Sequence, residues 1–227
     1  MVHHWGLEHS ISRVIHPPIA DTFFNPVPRT KSNKIISVGR FEPIKQQEAQ
    51  IELFNRISCF LPDNCRLVII GSKRTGLSDR FESLVDPNKI HIKYGLSEKE
   101  LYQEYASADV FWSTTGLNLD DPYQENNQES FGLAIAEAMA MGCVPVAVNA
   151  GGVSEIIRHD RDGYLVNSLD DMGLATIRLL FDQDIRQRLS RSALTRADHF
   201  SDKVFCDQVE RLFLSSALTE SMATAIA

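Results

Sequence analysis

Residues 131–148 read FGLAIAEAMAMGCVPVAV, an alanine-rich run followed by a β-branched one. The first part is typical of a buried helix and the second of a buried strand. Glu137 is the only charged residue here, and together with Gly142 and Pro145 it argues against a membrane span. The stretch therefore predicts a helix over residues 132–141 that leads into a strand over residues 144–148.

Elsewhere in the sequence, short apolar runs predict five more strands, at residues 34–39, 66–71, 89–94, 109–112 and 164–166. Helices are predicted from Pro43 to about 57, from the capping box at 97–100 to about 106, over 154–158, and from Ser168 onward. Strands and helices that alternate over short connections predict an α/β fold, a Rossmann-like doubly wound parallel sheet of about six strands. Such sheets bind ligands at the carboxyl ends of their strands.

The length of 227 residues allows one sizeable core with additional segments. Residues 1–33 are proline-rich and lack periodicity, so we interpret them as an N-terminal linker. Residues 34–200 form the predicted domain, and residues 201–227 a C-terminal helix and tail.

Composition excludes several classes of protein. With 23 Lys and Arg against 30 Asp and Glu, the net charge of −7 disfavours a nucleic-acid partner. The cysteines and histidines show no zinc-site spacing, and the cysteines are interpreted as reduced thiols rather than as a 59–65 disulfide. We expect no metal site, no signal peptide and no transmembrane segment.

Two groups of residues could carry chemistry. Gly39, Arg40 and Lys45 follow the first predicted strand, where cations near a helix start favour a bound phosphate. A solvated surface loop is the alternative interpretation. The second group is Glu129, which precedes the apolar helix, and Glu137 within it, where a buried carboxylate needs hydrogen-bond donors.

The order of these motifs resembles retaining glycosyltransferases of family 4, which have the GT-B fold of two Rossmann-like domains. Arg40 and Lys45 match the Gly-Arg-x4-Lys motif of the donor-binding domain, and Glu129 and Glu137 match its Glu-x7-Glu motif. The chain is most similar in appearance to the ALG11-like mannosyltransferase branch, although Ser113 and Ser130 stand where that branch often has His.

The resemblance implies a role for each matched residue. Arg40 and Lys45 would bind and stabilise the leaving diphosphate, and Glu129 would contact the donor sugar, which makes these three the candidate catalytic residues. Glu137 would bind the ribose. The remaining donor-binding candidates lie along the backbone near sugar and diphosphate: Gly39, Ser130, Phe131, Gly132 and Leu133.

The resemblance further implies a C-terminal donor-binding domain that uses a UDP- or GDP-linked sugar, needs no cofactor or metal, and is inactive without an acceptor-binding GT-B domain. The alternative is a non-catalytic subunit of a split enzyme that binds a sugar nucleotide or regulates a partner. We expect a cytoplasmic protein, and peripheral membrane association of the full enzyme is left open.

Overall fold

The computed structural model of the chain describes residues 14–24, 32–72, 84–117 and 128–226. Within them lie six strands: β1 Lys34–Val38, β2 Arg66–Gly71, β3 Ile90–Tyr94, β4 Val110–Ser113, β5 Val144–Val148 and β6 Tyr164–Val166. The α-helices are α1 Gln47–Ile57, α2 Glu98–Ala106, α3 Leu133–Ala140, α4 Val153–Ile156, α5 Leu169–Phe181, α6 Gln183–Ala197 and α7 Asp202–Ile226.

All six strands pair in parallel in one sheet, in the order β3-β2-β1-β4-β5-β6. The predicted α/β fold, with its doubly wound parallel sheet, is confirmed. The chain winds outward from β1 in one direction and from β4 in the other. The neighbouring ends of β1 and β4 therefore form the switch point at which such sheets hold ligands.

Side chains that alternate along the strands build a core on each face of the sheet. Leu67 and Ile69 of β2 contact one core, which also contains α1 and α5, whereas Val68 and Ile70 contact the other, which contains α2 and α3. Because successive side chains of an inner strand face the two cores in turn, such a strand is apolar at nearly every position. This is why short β-branched runs predicted the strands closely. The capping box is present, because Ser97 and Glu100 cap α2 as predicted.

The helix predicted from Pro43 is interrupted, which corrects one sequence-based expectation. Pro43–Lys45 forms a separate 3-10 turn, Gln46 has left-handed backbone angles (φ 49°, ψ 42°), and only then does α1 begin. The hydroxyl of Thr114 donates hydrogen bonds to the carbonyls of Lys45 and Gln46 from the end of β4. A contact distant in sequence thus overrides the local helical preference, and Lys45 precedes α1 instead of lying in its first turn.

Part of the predicted linker packs on the domain. Ile19 and Phe23 are buried, and the Ile19 amide donates to the Phe200 carbonyl at 2.9 Å. Residues 1–13 and 25–31 of the linker lie outside the described residues, and so do residues 118–127 of the loop that follows β4. Within the described part of the chain, no helix combines the length and apolar character needed to cross a bilayer. The four cysteines are free thiols.

Candidate functional site

A cavity of about 380 Å³ lies at the switch point of the sheet. The ends of β1 and β4 contribute one side of it, and the segment that leads into α3 contributes the other. Eight of the predicted site residues line it: Gly39, Arg40, Lys45, Glu129, Ser130, Phe131, Gly132 and Leu133. The two sequence motifs, separated by more than eighty residues along the chain, therefore meet in one place.

Lys45 and Glu129 form a direct ion pair inside this cavity. The Lys45 Nζ atom lies 2.6 Å from the Glu129 Oε2 atom, and the two side chains are only 20% and 17% exposed. A pair with so little exposure is less screened by solvent than a surface pair. The cavity therefore holds one cation and one carboxylate in close contact, a combination that can bind an anion and a hydroxyl side by side.

Arg40 occupies the mouth of the cavity. Its side chain is 72% exposed, and its Nη1 atom lies 3.2 Å from Glu42 Oε1. The Arg40 backbone is held more firmly, because buried Gln47 donates from Nε2 to the Arg40 carbonyl at 2.8 Å. The guanidinium can thus change its rotamer toward the cavity while its backbone stays fixed.

The segment that carries Glu129 rests on two glycines after β5. The Gly152 amide donates to the Glu129 carbonyl at 2.8 Å. A Cβ at Gly151, whose φ is +60°, would overlap that carbonyl, and a Cβ at Gly152 would overlap the carbonyl of Ser130. Close packing of two backbones explains why the Gly151-Gly152 pair is needed.

Helix α3 begins at the cavity, with left-handed Gly132 (φ +107°) as its N-cap. Leu133 and Ala134 of its first turn line the cavity. The first amide groups of a helix have no acceptor within that helix, and the helix dipole adds positive potential there. The cavity thus has a helix N-terminus next to the Lys45 ammonium, and both favour a bound anion.

Glu137 is the predicted site residue that the cavity lining does not include. It lies one turn along α3 from Leu133, and its Oε2 atom accepts a hydrogen bond from the buried Tyr105 hydroxyl at 2.9 Å. Burial raises the pKa of Glu137, the hydrogen bond from Tyr105 opposes this, and the nearby Glu98 charge raises it further. The carboxylate is therefore held at an energetic cost beside the cavity rather than inside it.

Several contributors were missed by sequence reasoning. Pro17 lines the cavity. The centroids of the His16 and Phe131 rings are 5.2 Å apart, with the rings tilted by 31°, and the His16 Nε2 atom lies 2.7 Å from Glu155 Oε2. Thr114 and Gln50, both buried, also line it. No local motif marks these residues, because their role arises only when distant segments pack together.

The end of β2 is not among the described residues that line the cavity. Gly71 packs against the Gly39 carbonyl, whereas the basic residues that follow Ser72 lie outside the described residues. Among the residues that the structure describes, no three His, Cys, Asp or Glu side chains are grouped for metal binding.

Comparison with known proteins identifies the family. The family model described as glycosyl transferases group 1 matches residues 19–196. The chain belongs to this family. The match includes the cavity-lining residues of both motifs, and the sheet with its flanking helices is one half-domain of the GT-B fold.

Similar curated proteins include two alpha-1,2-mannosyltransferases named for GDP-Man. The one from Dictyostelium discoideum is 26% identical over 79% of this chain and 36% of its own length. The one from Homo sapiens is 26% identical over 92% of this chain and 47% of its own length. This chain thus spans less than half the length of these relatives.

Solved structures show the same fold at low identity. Anabaena HepE, solved in complex with UDP, is 18% identical with a TM-score of 0.75, over 94% of this chain and 60% of HepE. The C-terminal domain of the group 1 protein LpcC from Francisella tularensis is 21% identical with a TM-score of 0.62, over 79% of this chain and 96% of that domain.

Proposed function

We propose that this chain is the donor-binding half of a retaining family 4 glycosyltransferase and takes its sugar from a nucleoside diphosphate. One observation carries the proposal: Lys45 and Glu129 meet at 2.6 Å in the switch-point cavity, beside the start of α3. This arrangement offers a cation and amide groups to a diphosphate and a carboxylate to sugar hydroxyls.

Lys45 and Arg40 stabilise the leaving diphosphate in this proposal. Negative charge grows on the departing phosphate oxygen as the glycosidic bond breaks, and cations placed there in advance lower the barrier. Lys45 already lies in the cavity, whereas the exposed Arg40 side chain changes its rotamer to contact the phosphate from the solvent side. The two cations compensate locally for the net charge of −7, which would otherwise repel an anionic donor.

Glu129 accepts hydrogen bonds from the donor sugar, and the backbone of residues 130–133 borders the sugar and diphosphate. Glu137 receives the ribose hydroxyls. It is one helical turn, roughly 5–6 Å, from the α3 residues that line the cavity, so the ribose extends along α3 away from the sugar. Hydroxyl donors there would replace part of the solvation that Glu137 loses on burial.

The donor nucleotide is proposed from the relatives. Two similar mannosyltransferases are named for GDP-Man, so GDP-mannose is the first donor to test, and UDP, bound in HepE, is the second. Because the chain spans under half of those relatives, we propose that a separate GT-B domain supplies the acceptor site. The proposed transfer requires no metal or cofactor.

A thermal-shift panel tests the proposal. GDP, UDP and ADP, each at millimolar concentration, are added to the full wild-type chain and to the Lys45→Ala and Lys203→Ala variants. Binding to the folded state at about 100 times Kd adds about 2.7 kcal/mol, so at least one nucleotide raises the wild-type Tm by several degrees. Lys45→Ala reduces that shift, because it removes a charge-assisted bond of about 1.5–3 kcal/mol.

Lys203 is an exposed lysine of α7 and provides the matched control, which retains the wild-type shift. The proposal is contradicted if none of the three nucleotides stabilises the wild-type chain. A Lys45→Ala variant that responds as strongly as wild type would place the diphosphate elsewhere.

A further inference from the structure

The helical backbone is interrupted at Gln46, immediately after the cavity-lining Lys45, and this interruption (the break) separates a 3-10 turn from α1. The 3-10 turn Pro43–Lys45 ends at Gln46, whose φ of 49° is in the left-handed region. Residues with a Cβ rarely adopt this conformation, so neighbouring contacts must hold it. The position of the Lys45 ammonium therefore depends on whatever fixes the backbone at this break.

The Thr114 side chain provides that fixation from the end of β4. Its single hydroxyl proton is donated to the Lys45 carbonyl at 2.7 Å, and the Gln46 carbonyl at 3.2 Å is the longer branch of the same bifurcated bond. The same oxygen accepts a hydrogen bond from Gln50 Nε2 at 2.9 Å, and Thr114 and Gln50 are each 1% exposed. One buried hydroxyl thus connects β4, the break and the first turns of α1.

A second contact with the same segment also holds the break. Gln46 Nε2 donates to the Leu117 carbonyl at 2.7 Å, in the loop that leaves β4. The residue with the unusual backbone is therefore bonded through its carbonyl to Thr114 and through its side chain to Leu117. Both anchors belong to the segment after β4, which packs beside β1 at the switch point.

From these contacts we propose that Thr114 is a positioning residue for Lys45. Its hydroxyl fixes the carbonyls of Lys45 and Gln46 and thereby keeps the ammonium 2.6 Å from Glu129, where the diphosphate is to bind. Thr114 acts through Lys45 and not by contacting the phosphate. This inference rests on the proposed function, because it assumes that Lys45 binds the diphosphate.

The test measures the affinity of the full chain for GDP or UDP, whichever gives the larger thermal shift, and for the matching nucleoside without phosphates. Thr114→Val removes the hydroxyl at similar volume and weakens diphosphate binding at least about fivefold, the scale of one lost hydrogen bond. The affinity of Thr114→Val for the nucleoside changes less than about twofold. Thr114→Ser, which keeps the hydroxyl, binds the diphosphate about as tightly as the wild-type chain. Thr114→Ala replaces Thr114→Val if the valine variant does not fold.

A double-mutant cycle separates positioning from a general loss of structure. In the Lys45→Ala background, Thr114→Val costs less than about twofold in diphosphate affinity, since residues that act through one contact are not additive. Equal loss of nucleoside and diphosphate binding, or the full loss persisting without Lys45, overturns the inference. If Lys45→Ala weakens diphosphate binding and Thr114→Val does not, only the inference is overturned. If Lys45→Ala has no effect, the role given to Lys45 in the proposed function is contradicted as well.

Discussion

The charged groups near the starts of β1 and β4 are paired with more protein groups than the charged groups at the carboxyl ends of the same strands. Glu104 of α2 accepts hydrogen bonds from Lys34 at 2.6 Å and from Lys93 at 2.5 Å. Asp109 accepts from the backbone amides of Ser32 and Asn33 at 3.0 and 2.7 Å. These carboxylates have several donors each, all supplied by the chain itself.

The cavity edge is organised differently. Glu129 accepts a hydrogen bond from Lys45, and Arg40 extends into solvent beside Glu42. Buried Gln47 and Gln50 each have an Oε1 atom without a hydrogen-bond partner in the described structure. The Oδ1 atom of buried Asn33, directly before β1, also has no such partner, so unpartnered amides do not by themselves separate the two edges. The exposed Arg40 guanidinium does, because it leaves a cation at the cavity edge available to a ligand. The contrast predicts that variants at the strand starts affect folding and variants at the cavity affect binding.

The largest effect is expected at Glu104. Glu104→Ala leaves Lys34 and Lys93 as two partly buried cations without their shared carboxylate, and breaking a buried pair costs about 3 kcal/mol. Urea denaturation measures the loss, with Glu52→Ala, an exposed glutamate of α1, as the control that stays within about 0.5 kcal/mol. Nucleotide affinity of the folded Glu104→Ala variant remains that of wild type.

The pH dependence of this loss follows from the pKa of Glu104. Burial alone raises that pKa, but the hydrogen bonds from Lys34 and Lys93 outweigh burial and hold it below the usual value. A lowered folded-state pKa contributes stability above the unfolded pKa of about 4.3, and that stability is lost as pH falls through the folded pKa. The gap between wild type and Glu104→Ala therefore narrows in acid, and a gap independent of pH would refute the ion-pair explanation.

A pair of glycines provides the next test of the contrast. Gly151 and Gly95 both have a φ near +60°, but a Cβ at Gly151 would overlap the Glu129 carbonyl, whereas a Cβ at Gly95 meets no atom within 4 Å. Gly95→Ala costs about 1 kcal/mol in backbone strain, and Gly151→Ala costs more because its Cβ also overlaps a carbonyl; urea denaturation measures both. Only Gly151→Ala displaces Glu129 and weakens sugar-nucleotide binding, and equal binding by both variants would contradict this.

The strands were predictable because most of them are short apolar runs with both faces covered; β3, where His91 is exposed, instead alternates apolar and polar residues. The observed bounds of β2, β5 and β6 coincide with the predicted ones, those of β1 and β3 differ by one residue at one end, and those of β4 are shifted by one residue at both ends. The sequence also predicted that a ligand site would lie at the carboxyl ends of the strands, and the cavity lies at the ends of β1 and β4; which strands meet there required the observed strand order. What was predictable thus depended on local periodicity and on general rules of topology.

The details of the cavity were not predictable in the same way. Gln46 carries no local signal for a left-handed backbone, and the contacts that hold it come from Thr114 and Leu117, about seventy residues away. Gly151 and Gly152 follow β5 in a turn, and their sequence alone does not indicate that they pack against the backbone of Glu129 and Ser130. Such roles depend on which loops pack together, and no alternation pattern encodes that.

The smallest predicted effect is a gain in stability, at Glu137. Glu137→Gln removes a buried negative charge but keeps an acceptor for the Tyr105 hydroxyl, so the free protein becomes more stable at pH 7 by about 1 kcal/mol or less. For a domain of this size that is a Tm increase of roughly 1–3 °C. Thermal denaturation of both proteins across a pH series measures the gain.

The sign of its pH dependence distinguishes this explanation from a simple change in packing. Burial is the largest cause of the raised pKa of Glu137. The contribution of Glu137 to stability is therefore most favourable below the unfolded pKa of about 4.3 and is lost as pH rises through the folded pKa. Glutamine does not titrate, so the advantage of Glu137→Gln is greatest near neutral pH and disappears in acid. The same variant binds ribose hydroxyls more weakly, because a neutral amide is a poorer acceptor than a carboxylate. A variant less stable than wild type at pH 7 would show that the free chain itself stabilises this carboxylate, and Glu137 would then belong with Glu104 and Asp109 rather than with the cavity edge.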